Sequence, residues 1–148
     1  MYRPNIYLYY DASTQSLINS DGTTSNVSTP SLYIHNEYMI LLQIYSDYPT
    51  VQNLSTLNNW KNGIGLVGGL TDPPLVETLD ADINTDPWAN EALGKISIIA
   101  NTHSSALVAA MGTSETKQYK SELKGNDGTN YVTISLSPVF CKNTVYED

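Results

Sequence analysis

Apolar residues recur at every second position in a series of short segments, the spacing of strands with one buried face. Between Tyr2 and Tyr10, the residues Ile6, Leu8 and Tyr10 share a face, and Pro4 puts the start of that strand at a sheet edge. Leu17 and Ile18 form a short strand before Ser20-Asp21-Gly22, a hairpin-turn signal. Glu37 to Ser46 is the strongest strand. Met39 to Leu42 are consecutively apolar and Ile44 and Tyr45 follow, so both faces are expected to be covered and the strand to be central. Leu75 to Ile83 is expected to turn Leu75, Leu79, Ala81 and Ile83 inward; Lys95 to Asn101 turns in Ile96, Ile98 and Ala100. Thr116 to Lys124 alternates, with Tyr119, Ser121 and Leu123 inside. After the turn at Asp127-Gly128, Tyr131 to Leu136 returns with Val132, Ile134 and Leu136 inward. Pro138 breaks the run before a last strand, Val139 to Tyr146.

Two short helices interrupt the strands. Asp86-Pro87 is a start signal for a turn or two from Trp88 to Leu93, ended by Gly94. Ser104 caps a second helix, Ser105 to Met111, ended by Gly112. Asp47 to Asp72, with Asn53, Asn58, Asn59, Asn62 and several glycines, reads as loops with one short strand. The pattern as a whole predicts a mostly-β, single-domain antiparallel β-sandwich over residues 1–148, with one or two short helices.

Composition narrows the partners. At 148 residues the chain has the length of one domain and needs no disulfide or metal for stability. Tyrosine occurs eleven times and phenylalanine once, a bias that suits strands and polar contact surfaces. A net charge of −8 with seven Lys and Arg offers no footprint for nucleic acid and repels anionic lipid. No segment approaches the ~20 apolar residues of a membrane span. The start, Met1-Tyr2-Arg3-Pro4-Asn5, carries no secretory signal peptide, which suits synthesis in a cytoplasm. Cys141 is alone, so neither an internal disulfide nor a thiolate zinc site is expected.

Candidate chemistry is sparse. Asp80, Asp82, Asn84 and Asp86, with Glu91 at position twelve, follow the ligand spacing of an EF-hand calcium loop. Thr85 stands where that loop needs glycine, and Pro87 follows; alternation on a solvated strand face plus a helix cap accounts for the same residues. Calcium is the one cofactor the chain suggests. His35 and His103 read as surface histidines, since no Gly-x-Ser-x-Gly elbow accompanies them. Gly63, Gly65, Gly68 and Gly69 match a dinucleotide fingerprint in spacing alone, because Pro73 and Pro74 replace the helix it requires. Cys141 reads as a structural thiol. Trp60, flanked by Asn59 and Asn62, is a candidate sugar-stacking platform, whereas Trp88 reads as core. No acid–base pair or nucleophile stands out, so no enzymatic activity is expected.

Several short motifs resemble small bacteriophage and prophage virion proteins, namely the adaptor-like N-terminal modules of tail-fibre and baseplate proteins. They are Trp88-Ala89-Asn90, Gly94-Lys95-Ile96-Ser97-Ile98, Asn101-Thr102, Ala106-Leu107, Tyr119 with Glu122-Leu123, and Pro138 to Val145. Ile6-Tyr7-Leu8-Tyr9 fits more loosely, and Asp47 to Asp72 lies outside the match. The resemblance implies a β-sandwich in a virion, an oligomer that contacts other tail proteins and performs no catalysis. A host glycan held by exposed aromatics is the alternative partner.

Overall fold

The computed structural model describes residues 3–67 and 73–144. Eleven strands and one α-helix are found among them: β1 Asn5–Asp11, β2 Ser16–Ile18, β3 Ser31–Tyr33, β4 Glu37–Asp47, β5 Thr50–Val51, β6 Asn58–Gly65, β7 Val76–Leu79, β8 Lys95–Asn101, α1 Ser105–Met111, β9 Thr116–Asn126, β10 Tyr131–Ser135 and β11 Val139–Lys142. They form two sheets. In the first, the order is β2-β1-β4-β5, with β8 also on β4; in the second it is β3-β11-β9-β6-β7, with β10 also on β9. Gly68, Gly69, and residues 145 and 146 of the expected last strand lie outside the described residues.

The β-sandwich architecture agrees with the sequence pattern, but the sheets are mixed. β1 runs parallel to β4 and β3 runs parallel to β11; the remaining pairs are antiparallel. The apolar block in β4 explains its place. Tyr38, Ile40, Leu42 and Ile44 face the core, while Met39 and Leu41 on the other face are also buried. A strand buried on both faces suits a central position. From β8, Ile96, Ile98 and Ala100 are wholly buried against it. The second sheet supplies Trp60 and Ile64, Tyr119 and Leu123, Ile134, Val139 and Cys141.

The one α-helix forms as its caps require. Ser104 Oγ accepts the Leu107 N–H, Leu107 and Met111 are buried, and Gly112 follows at φ 55°. Ser104 Oγ–H also donates to the Leu75 carbonyl, tying the helix start to the chain before β7. Two side-chain bonds close the sandwich at its margin. Thr78 Oγ1 donates to the Ile99 carbonyl at 2.7 Å, and Thr102 Oγ1 donates to the Tyr33 carbonyl at 2.7 Å.

Several expectations need correction. In β10 Ile134 is buried, but Val132, expected inward, is 42% exposed; its register partner Gly125 offers no side chain to pack on. Asn58–Gly65 is a full eight-residue strand, with Trp60, Asn62 and Ile64 inward; its asparagines and glycines have low strand propensity and hid the alternation. In β7, Val76 and Thr78 face inward and Leu79 is 58% exposed, so the register is one residue from the expected one. After it, Asp80–Asp82 is a turn of 3-10 helix rather than strand. The segment Trp88 to Leu93 keeps only a 3-10 turn at Glu91–Leu93, though Gly94 does end it in the left-handed region at φ 72°. The turn at Ser20-Asp21-Gly22 does form, with Gly22 N–H bonded to the Asn19 carbonyl at 2.9 Å. It carries the chain between sheets and does not join paired strands.

Candidate functional site

The outer face of the first sheet carries an aromatic cluster. Tyr7, Leu41 and Ser97 stand side by side in register on β1, β4 and β8. The loop before β8 is fastened to that strand. Asn84 N–H donates to the Ser97 carbonyl at 2.7 Å, and Asn84 Oδ1 accepts the Ser97 N–H at 3.2 Å. Asp86 Oδ1 then accepts the Trp88 N–H at 2.8 Å and fixes the turn that presents the indole. Pro87 between them needs no donor there.

From this anchor Trp88 reaches back across β4. Its ring meets Tyr7 edge-on, with centroids 6.5 Å apart and planes at 82°. Lys95 Nζ lies 5.3 Å from the indole centroid, within cation–π range. Leu41, which lies between Tyr7 and Ser97 in register on this face, is 2% exposed. Tyr7 remains 55% exposed. Beside it a shallow groove of about 200 Å³ is lined by Tyr7, Tyr9, Leu17, Asn19, Ser20 and Ser28, among others. Tyrosine faces next to amide and hydroxyl groups can stack on and hydrogen-bond to a polar ring.

The residues singled out in the sequence fall elsewhere. Trp60 is 4% exposed and packed in the core, and Asn62 is 2% exposed on the same inward face of β6. Neither can meet a sugar in this fold; the platform expected at Trp60 is a core residue. Asn59 is exposed with φ 49°. The two tryptophans therefore exchange roles, because it is Trp88 that sits half-buried at the surface. Local polarity misled here: of the asparagines near Trp60, Asn59 alternates to the outer face while Asn62 is buried beside it on the inner one.

The spacing at Asp80, Asp82, Asn84, Asp86 and Glu91 does not fold into a calcium loop. Asp80 Oδ1 accepts the Trp60 N–H at 2.8 Å, while Asn84 and Asp86 bind backbone N–H groups as above. Ile83, in their midst, bridges to Ile98 of β8. Among the described residues no three His, Cys, Asp or Glu side chains gather in a metal-holding group. His35 and His103 do come together, edge-on with centroids 6.0 Å apart, a proximity nothing in their sequence context signals. Cys141 is wholly buried and reduced, and burial pushes its thiol up to about 11.

No family model matches the sequence, and no curated protein matches it. Solved structures do match by shape. Among them is the N-terminal domain of phage TP901-1 ORF48, with a TM-score of 0.50 and 11% identity, covering 95% of this chain and 98% of that one. The chain thus shares the overall fold of a phage protein domain over 95% of its length. Among the described residues no helix is long and apolar enough to cross a membrane.

Proposed function

We propose that the chain is a non-enzymatic structural or adaptor protein of a phage-type tail, in a fibre or baseplate, acting through assembly contacts with other virion proteins. The observation that carries this reading is the correspondence of fold, over 95% of the chain, with the N-terminal domain of phage TP901-1 ORF48. The motifs resembling virion adaptor modules point the same way. A buried thiol held protonated at neutral pH is a poor nucleophile. The reading places the protein in the virion, as a homo-oligomer with tail-protein partners. Immunogold labelling of purified phage particles tests it: label confined to the tail supports the role, and particles free of the protein sink it. Light scattering on the purified chain tests the oligomer separately.

A second reading, a carbohydrate-binding surface, rests on the groove beside Tyr7 and Tyr9 and not on Trp60. A glycan array checks it, with Tyr7→Ala expected to abolish binding. Retention of binding by Tyr7→Ala would exclude this groove.

A further inference from the structure

The outer face of the second sheet carries the outward residues of alternating strands: Lys61 on β6, Lys120 and Lys124 on β9, and Lys142 on β11. These are four of the chain's seven basic residues, and the acids among the outward residues of those strands and β7 are Glu77 and Glu122. Lys120 and Glu122 pair at 3.2 Å. The face is basic on a chain whose net charge is −8. Lys61 Nζ lies 4.6 Å from the Tyr131 ring centroid, which places Tyr131 of β10 within this face.

β10 forms an open margin of the same sheet. Asp127 N–H bonds to the Asn130 carbonyl at 3.0 Å and Leu136 N–H to the Ser121 carbonyl at 2.9 Å, at either end of the β9–β10 pairing. Antiparallel pairs alternate between bonded and non-bonded. From these two ends the bonded pairs are Val132 with Gly125 and Ile134 with Leu123. Tyr131, Thr133 and Ser135 therefore direct their backbone N–H and C=O groups away from β9. Among the described residues nothing bonds to those groups.

The margins at β3 and β8 are occupied. Tyr33 of β3 gives its N–H to Tyr38 Oη at 2.9 Å and its carbonyl accepts from Thr102. The outer side of β8 is occupied by Ile83, Asn84 and Asn90. β10 has none of the usual protections of an edge: no lysine, no proline and no bulge. Tyr131 and Val132 are 48% and 42% exposed.

Resting on the assembly reading above, we propose that β10 receives an extended, acidic segment of a partner protein as an added strand. Backbone bonds to Tyr131, Thr133 and Ser135 supply the affinity, and alternate side chains supply the selectivity. A carboxylate beside Thr133 looks past a small side chain to Lys124, its register neighbour on β9. Pairing of two copies through their β10 edges would set two basic faces side by side, so charge favours an acidic partner over a second copy.

The test uses the purified chain with a short peptide alternating glutamate and valine, and the same peptide with lysine for glutamate. Backbone amide exchange is read by NMR. The glutamate peptide is expected to slow exchange at Tyr131, Thr133 and Ser135 about tenfold or more, and the lysine peptide to leave it unchanged. Thr133→Pro removes one outward donor and leaves the β9 ladder intact, so it should fold and lose the protection. Should Thr133→Pro not fold, Lys61→Glu/Lys124→Glu is used instead, and its preference should pass to the lysine peptide. Absence of protection by the glutamate peptide overturns the proposal. So does equal protection by both peptides, or a peptide-free dimer that Thr133→Pro dissociates. Peptide binding is read on the isolated chain, so its failure leaves the virion labelling result standing, and the reverse holds as well.

Discussion

A Cβ placed on Gly125 would lie 2.8 Å from Cζ3 of Trp60, so the indole rests directly against the backbone of β9. The contact takes the one large aromatic of β6 into a core where β9 offers no side chain at that point. Gly125→Ala is expected to overpack this site and cost about 1–3 kcal/mol. Trp60→Ala leaves a void worth about 3–5 kcal/mol. The two changes should not add. With the indole gone, Gly125→Ala becomes neutral or stabilises by about 0.4–1 kcal/mol through the unfolded chain. Urea unfolding of the two single variants and the double variant measures the coupling.

Gly94 makes a different demand. Its φ is 72°, and an added Cβ would lie 2.4 Å from the Ile44 carbonyl oxygen and 2.8 Å from that of Gln52. It sits where β5 and β8 meet the same stretch of β4, since its own carbonyl accepts the Ile44 N–H at 2.8 Å. Gly94→Ala should therefore cost more than the roughly 1–2 kcal/mol of a left-handed backbone alone. Gly128, at φ 103° with nothing within 4 Å, serves as the control that shows only the backbone part. Equal melting losses for the two alanine variants would remove the steric argument.

These glycines illustrate what the chain reveals locally and what it conceals. β4, β8, β9 and α1 are legible because each announces itself within its own residues: an apolar block, strict alternation, or a Ser104 cap closed by Gly112. β6 is not, because Asn58, Asn59, Asn62 and Gly63 are poor strand formers held there by β9 and β7 on either side. Pairing is also concealed. That β1 lies parallel to β4 depends on a crossover and not on either strand's pattern. For the candidate site, Asp86 and Pro87 are legible as a turn. Nothing local shows that the turn throws Trp88 across β4 to Tyr7.

Cys141 makes alkaline stability titratable. Burial raises its thiol from an ordinary 9.0 to about 11. The folded state then holds the proton more tightly than the unfolded chain does. Its contribution is fully present below pH 9 and is lost as pH rises toward 11, amounting to roughly 2–3 kcal/mol by the upper end. Burial also raises Tyr10, Tyr38, Tyr45 and Tyr119, and their losses begin in the same direction from about their ordinary 10.0. Cys141→Ala should show a shallower fall in stability across pH 9 to 11 than the parent chain. Identical slopes would contradict the burial account. In the parent, a thiol reagent at neutral pH should react only on unfolding.

Tyr7 and Trp88 touch, yet they should fail differently. Trp88 is half-buried, whereas Tyr7 is mostly exposed. Trp88→Ala is expected to cost about 2–4 kcal/mol, because it removes a large half-buried ring packed on Tyr7 and leaves Lys95 without its ring partner. Tyr7→Ala should cost under about 1 kcal/mol, as changes at exposed positions do. A stability loss with Tyr7→Ala as large as with Trp88→Ala would mean that the pair is one structural unit. A small loss leaves Tyr7 as a side chain held in the open by a rigid neighbour. Such an aromatic contributes more to contact with a partner or ligand than to the fold beneath it, because its ring is already ordered and still has area to bury.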